Sequence, residues 1–378
     1  LLKSDDTYRC NSSIYQKNGR MLITSVTAQG SSSAATGTDI LRDIQLSMIP
    51  THIQVIGEYP KESVLLNGDK AVTMYSADGE ERWKLNLSSD LVEKPQIVDF
   101  ENDGSSEFVL FQEDQLDVVN MEGRSLAGFP VQLNGKSRAG LAVNYDNLYK
   151  YRLIVNIDQT VKVVSEEGTF VDGWMFGGMS APIQGKIYHV LTDGKDIIAF
   201  KDQNRVQYVL NRKGESRMTD QAIFSLKNET DFVIGGMANS LRKMGYKDGY
   251  IYNYYILDGE KDSVKVDKQL SPIEIHWQYN SGKPLMIAEE ADRLLIVDQF
   301  GYVKSEVLKP SGSNVFVGLV GNKEYGFVFA DNSQNSIYLL NNFGKMMLPV
   351  AVSGSSVSVI QGDLLYTFSG ISIRAYKI

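Results

Sequence analysis

The sequence predicts an all-β fold, a single β-propeller, from the spacing of its glycines and the strand patterns beside them. Many short alternating apolar runs lie before and after these glycines, and each glycine ends such a run, as in "VKVVSEEG" at 161 to 168. Glycine adopts positive φ without steric cost, so the pattern is typical of a strand followed by a hairpin turn. The repeated glycines are Gly79, Gly123, Gly168, Gly214, Gly259, Gly301 and Gly344, with gaps of 44, 45, 46, 45, 42 and 43 residues.

Each repeat contains three or four predicted strands. In the second repeat these include "EFVLFQ" at 107 to 112, "LDVVNMEG" at 116 to 123 and "RSLAGFPVQL" at 124 to 133. About 44 residues with this content is the size of one four-stranded propeller blade. The repeat therefore predicts a ring of such blades.

The two ends of the repeat predict how the ring closes. The chain ends in "DLLYTFSG" and "ISIRAYKI", without the outer strand of a last blade. Residues 40 to 57 align with 81 to 100, which read as an outer strand followed by the inner strand of the next blade. Joining the termini in this way removes an exposed sheet edge. We therefore predict that residues 40 to 47 close an eighth blade, with seven blades as the alternative.

Composition fits this organisation and excludes some functions. With 378 residues and 43% hydrophobic content the chain can bury a large core, here assigned to one propeller at 40 to 378. Residues 1 to 39 read as an N-terminal extension with a flexible loop at 28 to 39. A net charge of −8 offers no basic surface for nucleic acid, and no apolar stretch is long enough for a membrane span.

An acidic loop, "DFENDGSSEF" at 99 to 108, is the candidate metal site. Asp99, Glu101, Asp103 and Glu107 alternate around the glycine turn at Gly104. Calcium takes six to eight oxygen ligands, and alternating carboxylates can converge on one ion. The alternative is a solvated acidic turn, so the sequence predicts at most one structural calcium ion.

Catalytic signatures are absent from the sequence. Cys10 is the only cysteine, which excludes an internal disulfide and a cysteine-cluster metal site. His52, His189 and His276 lie in alternating runs, where packed strand residues are expected. No nucleophile elbow or phosphate loop is present. The sequence therefore predicts a protein that is not an enzyme and has no organic cofactor.

Aromatic residues divide into two groups. Trp83 and Trp174 follow repeat glycines by four and six residues, so we expect them to pack between adjacent blades. A second group could anchor a partner, since amphipathic aromatic side chains suit interfaces. These partner-binding candidates are Trp277, Tyr279, Tyr254 and Tyr255.

Residues 99 to 176 also resemble a known family. The "DG..E" loop, "GFPV" after the hairpin, the "YD....YR" approach to a strand, and "DGW" resemble the WD40-like or quinoprotein-like (PQQ-like repeat) propeller region of uncharacterised cell-envelope proteins from Bacteroidota. The resemblance covers about 40 to 378. It implies an extracytoplasmic location, in the periplasm or cell envelope, and a propeller that forms part of a longer anchored polypeptide.

Two classes of function follow from these observations. The first is a non-enzymatic scaffold that presents propeller loops to a protein partner in the cell envelope, as the regular repeats without catalytic residues indicate. The second is a glycan-binding or glycan-processing propeller, favoured by the tyrosine and tryptophan content and the scattered carboxylates. Hydrolysis of a glycan would require two carboxylates about 5 to 10 Å apart in a cleft.

Overall fold

The computed structural model describes most of the chain between residues 11 and 377. The described residues are 11–17, 20–27, 40–47, 49–57, 60–145, 150–192, 194–218, 233–234, 241–256, 259–280, 283–308, 314–320, 324–331, 336–341, 347, 352–354, 358–361, 364–369 and 372–377. Cys10, Gly344 and the predicted flexible loop at 28 to 39 lie outside them.

The described residues form antiparallel strands, turns and loops, which confirms the all-β prediction. A hairpin of β1 (Asn11–Lys17) and β2 (Arg20–Thr27) lies within the N-terminal extension, and β3 (Ile40–Gln45) follows it. No helix in the described ranges is long and apolar enough to cross a membrane.

Eight sheets of three or four strands follow in chain order within the described residues, and each is numbered here from its first strand. Sheet 1 contains β4 (His52–Ile56), β5 (Ser63–Gly68), β6 (Ala71–Tyr75) and β7 (Glu81–Asn86). Sheet 2 contains β8 (Gln96–Val98), β9 (Glu107–Phe111), β10 (Gln115–Val119) and β11 (Val131–Gln132). Sheet 3 contains β12 (Gly140–Asn144), β13 (Tyr151–Ile157) and β14 (Thr160–Val164). Sheet 4 contains β15 (Ile183–Thr192), β16 (Lys195–Asp202) and β17 (Gln207–Leu210).

The second half of the chain continues the same order. Sheet 5 contains β18 (Val233–Ile234), β19 (Leu241–Lys247), β20 (Tyr250–Tyr255) and β21 (Lys261–Lys265). Sheet 6 contains β22 (Glu274–Asn280), β23 (Lys283–Glu289), β24 (Arg293–Asp298) and β25 (Val303–Leu308). Sheet 7 contains β26 (Asn314–Val320), β27 (Glu324–Asp331), β28 (Ser336–Asn341) and β29 (Val352–Ser353). Sheet 8 contains β30 (Ser358–Gln361), β31 (Leu364–Ser369) and β32 (Ser372–Lys377), with β3 as its fourth strand.

The strand β3 joins the beginning of the propeller region to its end. It pairs antiparallel with β32, with Ile44 opposite Ile373. Arg374 donates a hydrogen bond from Nε to Asp43 Oδ2 at 3.1 Å. Residues 40 to 45 therefore form an outer strand on the last sheet, within the segment predicted from the sequence.

The repeat glycines have a structural role that explains their spacing. The six that are described, Gly79 through Gly301, all have positive φ, between 74° and 83°. Four of them also lie tightly against the preceding repeat, namely Gly123, Gly168, Gly214 and Gly301. A Cβ at Gly123 would be 2.7 Å from the Trp83 ring, and one at Gly168 would collide with the backbone of Gly128. A side chain at either position would therefore meet both backbone strain and a neighbour.

The hydrophobic core consists of separate clusters between neighbouring sheets. Residues of sheets 1 and 2 form one cluster, and others join sheets 2 and 3, 3 and 4, 4 and 5, and 5 and 6. Two more join sheet 7 to sheet 8 and sheet 8 to sheet 1. Sheet 8 packs on sheet 1 through Tyr366 and Ile373 against Val64 and Leu66, with Ile44 in the same cluster. Strands buried on both faces explain the nearly continuous apolar runs of the sequence.

Candidate functional site

The acidic loop at 99 to 107 uses its carboxylates to hold its own backbone. Asp99 Oδ1 accepts a hydrogen bond from Asp103 N at 3.0 Å, and Asp103 Oδ1 accepts one from Ser105 N at 2.8 Å. Glu107 is buried, and its Oε2 accepts from the backbone nitrogen of Phe100 at 2.5 Å. Hydrogen bonds from Ser105 lower the pKa of Asp103. The carboxylates therefore stabilise a turn, and the binding of calcium by Asp99, Glu101, Asp103 and Glu107 stays a prediction.

Trp83 and Trp174 pack between neighbouring sheets, as predicted. Trp83 Nε1 donates a hydrogen bond to Met121 O of the next repeat at 2.8 Å, and its ring lies against Phe108. Trp174 donates to Val161 O at 2.7 Å and lies against Gly214. Each indole thus fills space beside a repeat glycine and satisfies its nitrogen there.

The four aromatic residues predicted to contact a partner occupy different environments. Trp277 is half-buried on β22 and packs on the cluster between sheets 5 and 6. Tyr254 is 2% exposed in the core, so it offers no surface to a partner. The Tyr255 hydroxyl donates to Asp262 Oδ2 at 3.1 Å on an exposed strand edge. Tyr279 lies on β22, with its side chain outside the described residues.

His52 lies near charged residues of two other sheets. His52 begins the first strand of sheet 1 and is exposed, whereas the sequence predicted a packed residue. Burial by its neighbours, then the charges of Lys94 and Lys186, lowers the pKa of His52. Lys94 precedes β8 in sheet 2 and Lys186 lies in β15 of sheet 4. First strands of neighbouring sheets do contact one another, as β8 with β12, β12 with β15 and β30 with β4.

His189 belongs to a buried ion-pair network at the other end of sheet 4. Its Nε2 lies 2.8 Å from Asp196 Oδ1, and Arg212 Nε donates to Asp196 Oδ2 at 2.5 Å. The edge of the Tyr145 ring meets the imidazole, and Arg212 lies over that ring. Burial, and then the charge of Asp196, raises the pKa of Tyr145. Because Asp196 is paired on both oxygens, this network is a structural one.

His276 forms a group with two glutamates that sequence reasoning missed. One ligand atom from each of Glu274, His276 and Glu289 lies within 4.8 Å of the other two. His276 Nε2 is 3.0 Å from Glu289 Oε2. The available signal was the "EIH" start of one predicted strand and the "AEE" end of the next. A hairpin separates them, so only the strand register brings them together.

Three strongly exposed hydrophobic side chains occupy equivalent loops. Ile49, Met175 and Ile273 are 63%, 61% and 70% exposed. Each lies in a segment that leads from the end of one sheet into the first strand of the next, namely β4, β15 and β22. We call these three residues the loop apolar set. Contiguous exposed apolar patches mark interaction sites, so these three residues are the candidates for such a surface.

A cavity of about 450 Å³ lies beside the β13–β14 hairpin of sheet 3, between the segment after β11 and the segment that leads into β15. Asp158, Gln159, Lys162 and Phe170 line it together with the Gly177 and Gly178 backbone. Lys162 Nζ lies 5.4 Å from the centre of the Phe170 ring. Its volume is in the range of small-molecule sites, and a half-exposed ring beside polar groups suits a sugar-sized ligand.

Comparison with known proteins identifies the fold and no family. No family model matches the sequence, and no curated protein matches it. BBS1N, solved in complex with ARL6DN and soaked with lead, has a TM-score of 0.50 and 12% identity over 83% of this chain and 98% of that chain. Dihydro-heme d1 dehydrogenase NirN in complex with DHE has a TM-score of 0.49 and 12% identity over 89% and 78%. Virginiamycin B lyase from Staphylococcus aureus, in selenomethionine form, has a TM-score of 0.44 and 9% identity over 89% and 98%. At this identity the likeness to BBS1N shows a β-propeller-like fold alone.

Proposed function

We propose that residues 40 to 378 form one eight-bladed propeller that β3 closes. Three observations support this architecture. The strand β3 pairs with β32, and sheet 8 shares a core cluster with sheet 1. A Cβ at Gly79 would lie 3.6 Å from Ile44. Ile44 therefore occupies the position beside Gly79 that Trp83 occupies beside Gly123. The contact between the two ends of the ring thus repeats the contact between consecutive sheets.

The function that this architecture supports best is a non-enzymatic scaffold that binds a protein partner. The loop apolar set carries the proposal, because Ile49, Met175 and Ile273 present apolar area from equivalent loops. Burial of such side chains is the main favourable term in protein association. The propeller-like BBS1N was solved bound to another protein, ARL6DN, which is compatible with this use of the fold.

The setting of this scaffold is proposed from the family resemblance. The PQQ-like repeat propellers of Bacteroidota imply the periplasm or cell envelope of a bacterium, envelope proteins as partners, and attachment to a longer anchored polypeptide. The acidic loop is proposed to hold one structural calcium ion. No organic cofactor and no nucleic acid are part of the proposal.

Crosslinking in native cells tests the partner-binding role. We expect the tagged protein to capture a defined set of envelope proteins, and the combined variant Ile49→Asp, Met175→Asp, Ile273→Asp to lose them. Leu191→Asp is the matched control, since Leu191 is 50% exposed at the opposite end of a first strand, in β15. Equal capture by the triple variant and the wild type would contradict the proposal.

Calcium binding has its own test. If the loop holds the ion, added Ca²⁺ raises the Tm of the wild type, because a ligand that binds only the folded state stabilises it. Asp103→Asn should abolish that rise. Asp78→Asn, at another exposed acidic turn, should retain it. If millimolar Ca²⁺ does not change the wild-type Tm, the loop is a solvated turn and the calcium proposal is wrong.

A glycan-binding propeller is the second candidate, and the cavity beside Phe170 favours it. Phe170 can stack on a sugar face while Asp158 and Lys162 meet its hydroxyl groups. The same crosslinking experiment distinguishes this candidate: recovery of glycan without protein supports it, and loss of that glycan in Phe170→Ala would place it in the cavity. The Glu274 and Glu289 oxygens lie within 4.8 Å, closer than the roughly 5 to 10 Å of a hydrolytic pair, so we do not propose that these two residues cleave a glycan.

A further inference from the structure

The group of Glu274, His276 and Glu289 is positioned by strand geometry. Glu274 lies directly opposite Glu289 in the antiparallel pair of β22 and β23. His276 is two residues after Glu274, so both side chains stand on the same face of β22. The Cβ atoms of residues in such positions are close enough for their side chains to meet.

A cation between Glu274 and Glu289 would lower their mutual repulsion. Two carboxylates directly opposite on neighbouring strands repel each other. Arg293 lies near the end of β23, but it binds Glu290 at 2.6 Å and Glu306 at 2.8 Å. Lys268 binds Glu306 as well. His276 Nε2 lies 3.0 Å from Glu289 Oε2, and an imidazole nitrogen can serve as a metal ligand.

The backbone under the group is fixed by hydrogen bonds. Ile273 N donates to Glu289 O at 2.7 Å, and Ser271 N donates to Glu290 Oε1 at 2.7 Å. These bonds hold the segment that enters β22 against the end of β23. The side chains of His276 and Glu289 are 26% and 14% exposed, whereas Glu274 is exposed. A preorganised group that opens to solvent on one side is a suitable place for an ion to enter.

We propose that Glu274, His276 and Glu289 bind one divalent transition-metal ion, with Zn²⁺ as the cation of best fit. Zinc bonds to imidazole nitrogen and carboxylate oxygen at about 2.0 to 2.2 Å, which places its ligand atoms roughly 3 to 3.5 Å apart. His276 Nε2 and Glu289 Oε2 are 3.0 Å apart, which lies in this range. Rotation of the exposed Glu274 side chain would bring the third ligand atom to the ion. An imidazole ligand disfavours Ca²⁺ and Mg²⁺, which take oxygen ligands. Three protein ligands leave a coordination position open at the surface. The proposed metal site does not rest on the proposed partner binding.

Isothermal titration of the full chain with ZnCl₂ after chelator treatment tests the proposal. We expect one saturable site per chain with Kd of about 1 μM or tighter. His276→Ala and Glu274→Gln should each weaken binding at least tenfold, an effect of the size that lost coordination produces. Glu274→Gln is decisive because a simple ion pair between His276 and Glu289 does not need Glu274. Co²⁺ should show a ligand-field absorption band that His276→Ala removes.

His189→Ala is the matched control. His189 also faces a carboxylate, but Arg212 occupies the second oxygen of Asp196, so this variant should bind Zn²⁺ like the wild type. Circular dichroism confirms that each variant is folded, and Glu274→Gln changes only an exposed side chain. Absence of saturable binding overturns the proposal, and so does equal affinity of Glu274→Gln and the wild type. Binding that is lost in Asp103→Asn instead would assign the ion to the acidic loop and overturn it as well.

Discussion

Removal of residues 1 to 48 is expected to lower the Tm by about 10 °C or more. The deletion takes away β3 and with it the buried side chain of Ile44 in the cluster between sheets 8 and 1. Loss of a buried aliphatic side chain costs about 2 to 5 kcal/mol. It also removes Arg42, whose Nε lies 3.2 Å from Glu62 Oε1, and Glu62 is 1% exposed. Breaking a buried ion pair costs up to about 3 to 5 kcal/mol more, and the hydrogen bond that Glu62 keeps from the Tyr366 hydroxyl reduces this cost. Differential scanning calorimetry measures the effect.

The matched control is a deletion of residues 1 to 39, which retains β3. This shorter deletion should leave the Tm within about 2 °C of the full chain. Arg42→Ala removes the ion pair but keeps β3, so its Tm should lie between the Tm values of the two deletion variants. If the longer deletion has the same Tm as the full chain, β3 contributes nothing to stability and the proposed closure of the ring is wrong.

Gly168→Ala is expected to lower the Tm by about 5 °C or more. Gly168 has φ of +74°, where an L-residue costs about 1 to 2 kcal/mol, and its new Cβ would collide with the Gly128 carbonyl. The Gly128 oxygen belongs to the backbone and a Cβ is fixed rigidly to its Cα, so neither atom can turn away. The two hairpins must then separate, which disturbs the cluster between sheets 2 and 3.

Gly173→Ala isolates the collision from the backbone strain. Gly173 has φ of +78°, but nothing lies within 4 Å of its added Cβ. This variant should cost only the strain of positive φ, about 1 to 2 kcal/mol. Equal Tm values for the two alanine variants would show that the contact between the sheets is soft and that the repeat requires glycine for its φ alone.

The architecture was predictable because the repeat constrains it at every glycine. Positive φ at Gly79 and its five described equivalents follows directly from the hairpin pattern. The tight approach of Gly123, Gly168, Gly214 and Gly301 to the preceding repeat did not follow, since contacts between repeats leave no periodic signal of their own. The segment from Ile40 was found because it aligns with Glu81–Asn86, the outer strand of sheet 1.

The candidate sites were less predictable, for reasons that the strands make clear. Tyr254 and Tyr255 are adjacent on β20, so they point to opposite faces, and the sequence does not show which face is open. Tyr254 proved to be the buried one. The carboxylates of the acidic loop were expected to converge, whereas Asp99 and Asp103 turn toward backbone nitrogens. Glu274 and Glu289 meet only through a register that a sequence does not show.

The pairing of β3 with β32 also bears on how the chain acquires its structure. Asp43 and Arg374 are 331 positions apart, so their contact forms only after almost the whole chain has been synthesised. Contacts of such long range slow folding, because the entropy of a large loop is lost before any bond is gained. Until β3 and β32 pair, both strands have an unpaired edge, and such edges promote association with other chains. We therefore expect slow final folding steps and a dependence on chaperones during that interval.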